Sequence, residues 1–183
     1  MPGNPERFFV LTGGPGSGKS TLLAALERAG HFCAPEAGRS IIRAQVAIGG
    51  IALPWGDRAA FAELMLSWDI RSYQMAEQRS GITFFDRGVP DVAGYLRLCG
   101  LPVPPHMENA ARIYRYHRLA FIAPPWPDIF AQDRERKQDF DEAVRTFETM
   151  AATYAGYGYE LLELPRAPVK ERVRFVLEMT GLA

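Results

Sequence analysis

Cysteine is scarce in this chain: Cys33 and Cys99 are the only two, they lie far apart, and neither falls in a metal-ligand or redox spacing. A disulfide scaffold and a zinc site are excluded, and both residues read as small buried hydrophobes of a reducing compartment, so cytoplasmic residence is the expectation. The three histidines, His31, His106 and His117, show no ligand spacing either. No basic stretch followed by a long apolar run opens the chain, and no segment approaches the ~20 apolar residues that a bilayer crossing needs. Excess charge of one sign is also lacking, since Lys plus Arg and Asp plus Glu both number 21. That balance removes the global field expected of a nucleic-acid partner.

What is present is enough for one well-filled core: 183 residues, of which 48% are hydrophobic, the usual size of one domain. Short apolar runs alternate with longer stretches of helical periodicity. Phe8–Leu11, His31–Ala34, Ile82–Phe85, Leu119–Ala123 and Tyr159–Leu164 read as five strands. Helices are expected from Lys19 to Arg28, Arg39 to Ile48, Asp57 to Gly81, Pro90 to Leu98, Met107 to Tyr116 and Phe140 to Ala155, and again from Val169 to Leu177. Phe61, Leu64, Met65, Trp68, Ser72 and Met75 are expected to line the buried face of the longest of them. Strands separated by helices predict a parallel, three-layer α/β sheet.

The strongest local signal lies between the first strand and the first helix. Gly13-Gly14-Pro15-Gly16-Ser17-Gly18-Lys19-Ser20-Thr21 matches the phosphate-loop pattern G-x-x-x-x-G-K-[ST] in full and in the right structural context. Its glycines let successive N–H groups curl around an anion, the helix N-terminus adds partial positive charge, and Lys19 reaches the outer phosphates. Ser20 is the expected Mg²⁺ ligand. The expected ligands are therefore ATP or GTP with Mg²⁺, while the fate of the γ-phosphate is left open, because switches, motors and kinases share this loop.

Other residues narrow the choice. Phe84-Phe85-Asp86-Arg87-Gly88 places an acid at the C-terminal end of a strand, the edge where open α/β sheets bind ligands. Asp86 is read as facing Lys19 and holding the metal, with capping of the next helix as the alternative. Arg87 offers a planar fork to a phosphate, a hydroxyl or a carboxylate. An arginine after that acid, in place of a second acid, favours transfer to an acceptor over hydrolysis. The chain carries no N-K-x-D or L-S-G-G-Q motif, and Asp91-Val92-Ala93-Gly94, which fits the loose D-x-x-G form of GTPases, reads by itself as ordinary helix sequence.

Glu36, in Pro35-Glu36-Ala37-Gly38-Arg39, is the candidate general base, steadied by Arg39. The alternative is an acid complementing the dipole of the following helix. Trp55 and Trp126 are candidates for an acceptor pocket, and Arg166 for the nucleotide base. The charged run Ala131–Lys137 is either a solvated helix face or a lid near residues 131–139 whose Arg134 and Arg136 close over the phosphates.

With these motifs, and with Gly156-Tyr157 and the last helix, the chain resembles over nearly its whole length the AAA-type P-loop family that includes the nicotinamide-riboside kinase domain of the bacterial NAD regulator NadR. Its Asp-Arg and lid layout is similar to that of deoxynucleoside and thymidylate kinases. The resemblance implies a nucleoside-monophosphate-kinase-like fold with a helical lid and a five-stranded sheet ordered 2-3-1-4-5, in one P-loop domain spanning 1–183. It also implies Glu36 as the acceptor-side carboxylate and Arg87 as the substrate-contacting arginine. Two functions follow as expectations: an ATP-dependent phosphotransferase acting on a small hydroxylated acceptor such as a nucleoside, or a nucleotide-dependent switch, since one class in this family resembles a GTP- and lipid-binding trafficking protein of animals. The oligomeric state is left open.

Overall fold

The computed structural model describes residues 5–130 and 139–182. Five strands, β1 (Phe8–Gly13), β2 (Phe32–Ala34), β3 (Thr83–Asp86), β4 (Leu119–Ala123) and β5 (Glu160–Glu163), form one parallel sheet in the order β2-β3-β1-β4-β5. Seven helices connect or flank them: α1 (Lys19–Arg28), α2 (Ala37–Ile48), α3 (Arg58–Glu77), α4 (Val89–Leu98), α5 (Pro105–Ile113), α6 (Phe140–Gly156) and α7 (Val169–Met179). The expected architecture and strand order are both observed. The expected lid, with Arg134 and Arg136, lies outside the described residues.

Alternation along β1 explains why both faces of the sheet are covered. Phe8 and Val10 point to one core with Phe85, Tyr73 of α3, Val92 of α4, Met107 of α5 and Tyr154 of α6. Phe9 and Leu11 point to a second core with Phe84, Phe121, the leucines of α1 and Val176 of α7. A strand buried on both sides carries no polar alternation, which is why these strands read as continuous apolar runs. Aromatic edges fill the first core: Tyr73 meets Phe8 at 4.9 Å and Tyr116 at 5.5 Å between ring centres, the favoured T-shaped arrangement.

The long helix α3 departs from expectation. Asp57 caps it, accepting from the Ala60 N–H at 2.9 Å, but the helix ends at Glu77 and its buried stripe is Phe61, Ala62, Leu66, Asp69, Tyr73 and Ala76. Leu64, Trp68 and Met75, expected inside, are 38%, 37% and 53% exposed. Apolar residues occur all round this helix, so periodicity alone selected the wrong side. Helix α5 also stops short, at Ile113 rather than Tyr116, because Tyr114 leaves helical geometry and frees Tyr116 to enter the core. No described helix is long and apolar enough to cross a membrane.

Candidate functional site

The parallel register brings the two site-bearing strands together. Leu11 on β1 pairs with Asp86 at the end of β3, so the loop after β1 and the Asp86-Arg87 turn open on the same edge of the sheet. Two glycines of the loop are dictated by its path. Gly13 has φ 122°, and a Cβ there would meet the Ala123 carbonyl oxygen at 2.4 Å. Gly18 precedes α1 in the left-handed region, at φ 77°, which an L side chain rarely adopts.

Lys19 is buried and folds back over its own loop. Its ammonium donates to the Gly13 carbonyl at 3.1 Å, the Gly14 carbonyl at 2.7 Å and Ser17 Oγ at 3.3 Å. Pro15 and Gly16 form the tip of the loop, and Ser20 and Thr21 are exposed on the first turn of α1. Asp86 is 8% exposed, and its Oδ1 is buried with no hydrogen-bond partner. Burial raises its pKa, Lys19 counteracts this, and Glu36 adds to it. Gly88, not Asp86, caps α4.

Arg87 is the one described non-glycine residue with positive φ, 68°. Such a backbone is costly and clusters at functional sites. It is secured by the Arg87 N–H donating to the Leu11 carbonyl at 3.0 Å, and the guanidinium is clamped between Glu36 Oε1 at 3.5 Å and Asp91 Oδ1 at 3.1 Å. Burial works against its charge, but Glu36, Asp91 and Asp86 outweigh burial and hold its pKa above the usual value. Arg39, 45% exposed, reaches the other oxygen of Glu36 at 3.9 Å. The sequence-derived group Glu36, Arg39, Asp86 and Arg87 is thus assembled in one place.

Asp91 is the hub of this group, a role its place in ordinary-looking helix sequence did not suggest. The buried carboxylate accepts from Thr12 Oγ1 at 2.5 Å and Arg87 through Oδ1, and from Tyr154 OH at 2.5 Å and the Gly88 N–H at 3.0 Å through Oδ2. Four donors from β1, the β3–α4 turn and α6 satisfy it, and a satisfied buried network fixes a unique geometry.

A cavity of about 310 Å³ opens beside the loop. Pro15, Glu36, Arg87 and Asp91 line it together with Phe61, Met65 and Asp69 of α3, Tyr95 of α4 and the adjoining Cys99, Thr146 and Met150 of α6, and Trp55. Trp55 lines the cavity, whereas Trp126 does not and lies beside Arg172 instead. Cys99 is half-buried on the cavity wall, and only Cys33 is fully buried, its thiol pushed up to about 12 by burial, with Glu27 and Asp86 adding to it. Arg166 is tied to the Pro125 carbonyl at 3.0 Å and Glu163 at 3.6 Å.

Asp69 was not singled out in the sequence; the α3 stripe Ala62, Leu66, Asp69, Tyr73 and Ala76 is the pattern that locates it. Burial pushes its carboxyl well above the usual range, Asp91 adds to this, and Arg87 opposes it. A carboxyl raised in the folded state favours folding fully only below its unfolded value of about 3.9, and that contribution is lost as pH rises toward the folded value. Asp69→Asn should therefore melt a few degrees above the parent at pH 8, with the difference vanishing near pH 4. Parallel melting curves across that range would mean that Asp69 ionises as freely as an exposed carboxylate.

The loop, the sheet order and the helices on both faces define a P-loop nucleoside triphosphatase fold of the kinase type. The chain belongs to the AAA domain family, whose model matches residues 8–172. Among solved structures it is similar to NadR protein in complex with NR, with TM-score 0.72 and 18% identity over 97% of this chain and 52% of that one. The chain thus spans about half the length of that protein. It is also similar to deoxyadenosine kinase from M. mycoides with bound dATP, with TM-score 0.61 and 13% identity over 96% and 99% of the two chains. Thymidylate kinase from Ehrlichia chaffeensis is comparable, with TM-score 0.60 and 13% identity over 97% and 100%. No curated protein matches the sequence.

Proposed function

We propose that this chain is a Mg²⁺-dependent phosphotransferase that moves the γ-phosphoryl group of ATP to a hydroxyl of a small acceptor of the nucleoside class. The observation that carries this reading is the cavity: it is lined by the phosphate loop at Pro15 and by Glu36 and Arg87, and its lining is otherwise largely apolar, with the aromatic rings of Trp55, Phe61 and Tyr95. A site for a planar, hydroxyl-bearing molecule needs that combination. The neighbours named above as kinases for deoxyadenosine and thymidylate support the same class.

In this reading Gly13–Thr21 cradles the phosphates and Lys19 turns from its loop carbonyls to the outer phosphate oxygens. Ser20 and Asp86 would hold Mg²⁺. The orphaned Oδ1 of Asp86 fits such a use, and one hydroxyl plus one carboxylate matches an ion that takes its other ligands from phosphates and water. The described residues contain no cluster of three or more His, Cys, Asp or Glu that would hold a metal unaided. Bound Mg²⁺ would neutralise phosphate charge. Glu36 accepts the acceptor's hydroxyl proton as that oxygen bonds to the γ-phosphorus and the bond to the β-bridging oxygen breaks, releasing ADP. Arg87 stabilises the transferring group, and Arg134 and Arg136 enter the proposal on sequence grounds.

The test is Mg·ATP turnover by the purified protein, alone and against nucleosides including nicotinamide riboside, with product masses measured. Gain of one phosphate by a nucleoside is the expected result. Slow hydrolysis indifferent to every acceptor would replace the kinase by a nucleotide-dependent switch.

A further inference from the structure

Behind the phosphate loop, on the side away from the cavity, α7 delivers a charge that no described carboxylate neutralises. Arg172 is 3% exposed. Its guanidinium donates to the Ser17 carbonyl at 3.1 Å and the Gly18 carbonyl at 3.4 Å, and its Nε is buried without any partner. No carboxylate among the described residues lies within ion-pair distance of it. The Trp126 ring, 5.9 Å away, is at the limit of a cation–π contact. A buried cation normally requires a paired anion, and burial here lowers the guanidinium's pKa.

The geometry of the loop supplies the missing partner. The Ser17 and Gly18 carbonyls belong to the same peptide units as the N–H groups of Gly18 and Lys19. Those N–H groups open the helix N-terminus, where an anion is bound. A cation on the carbonyl side of a peptide strengthens the donor on its other side, as chains of hydrogen bonds polarise one another. Gly18 has no Cβ at that point, and one would lie 2.6 Å from Arg172 Nη1, so the guanidinium rests directly against bare backbone.

We infer that Arg172 is a positioning residue for nucleotide binding: it fixes and polarises the Ser17–Lys19 peptides, and its uncompensated charge is balanced when phosphates occupy the loop. The inference rests on the phosphate-loop reading above and adds a residue from the far end of the chain. It separates two properties that a purely structural arginine would lose together. Without its anion the cation is a burden on the folded protein, whereas with phosphates bound it contributes to affinity.

The experiment measures binding of Mg·ATP, Mg·ADP and adenosine by calorimetry, and melting without ligand, for the full chain and for Arg172→Met and Arg172→Lys. For Arg172→Met we expect ATP and ADP to bind at least about tenfold more weakly, since hydrogen bonds to charged groups are the strong ones. Its adenosine affinity should be unchanged, and its melting temperature without ligand equal to or above the parent's. Arg172→Lys retains the charge without the planar fork and should recover part of the loss. Should Arg172→Met not fold, Arg172→Gln carries the same comparison.

ATP affinity within about twofold of the parent in a folded variant would overturn the inference and leave the phosphate loop intact. An equal loss for adenosine would overturn it in favour of a contact to the base. Failure of the parent itself to bind Mg·ATP would overturn both the inference and the phosphate-loop reading.

Discussion

Lys19→Ala should bind Mg·ATP roughly 30- to 4,000-fold more weakly than the parent, the equivalent of about 2–5 kcal/mol for truncating one partner of a buried charge-assisted contact. The ammonium of Lys19 already sits within the loop, held by the Gly13 and Gly14 carbonyls and Ser17 Oγ, so it need only rotate to meet phosphate oxygens. Calorimetry with Mg·ATP is the measurement, paired with a melting curve to show that the variant folds. The loop's shape is set mainly by its glycines and by their packing on Ala123 and Ala143. The variant should therefore remain folded. Unchanged affinity in a folded variant would remove the assignment of Gly13–Thr21 as the nucleotide site.

Glu36→Gln should lower the rate of phosphoryl transfer by about 10²–10⁴ while leaving nucleotide affinity nearly intact, the range expected for loss of a positioned general base. The substitution keeps the shape of the side chain and its place at the start of α2, and removes its negative charge together with the capacity to accept a proton as a carboxylate. Because Glu36 also meets Arg87 at 3.5 Å and Arg39 at 3.9 Å, the variant loosens the arginine clamp as well. The pH–rate profile separates the two effects: a lost base removes the acidic limb, whereas a displaced Arg87 lowers the whole profile. Full activity in the variant would assign the proton to another group on the cavity wall.

The phosphate loop could be read outright because its chemistry is local: nine consecutive residues supply the turn, the anion-binding backbone and the charged contact. The central strands β1, β3 and β4 could be read because they are buried on both faces and so consist mainly of consecutive apolar residues, whereas the edge strand β5, Glu160-Leu161-Leu162-Glu163, is exposed at both ends. Asp86 and Arg87 could be placed because the end of a parallel strand lies at the ligand edge whatever the rest of the fold does. The buried face of helix α3 is not legible from periodicity because its apolar residues lie on every side. Only contact with α4 and the sheet shows that Ala62, Leu66 and Tyr73 are inside while Leu64 and Met75 face out.

The charged residues that tertiary structure alone revealed share one cause. Asp69, Asp91 and Arg172 each stand in a helix where a charged residue is ordinarily solvated, and each is buried because a neighbour remote in sequence covers it. Asp91 meets Tyr154 at a separation of 63 residues, and Arg172 meets Ser17 at 155. By itself, then, the sequence determined the sheet, its parallel sense and the phosphate loop, because these depend on local chain geometry and on alternation of apolar and polar segments. The tertiary structure decided which face of α3 is buried, where the cavity beside the phosphate loop opens and which charges are forced inside. Those features arise from packing between elements, and no single segment carries the distances that create them.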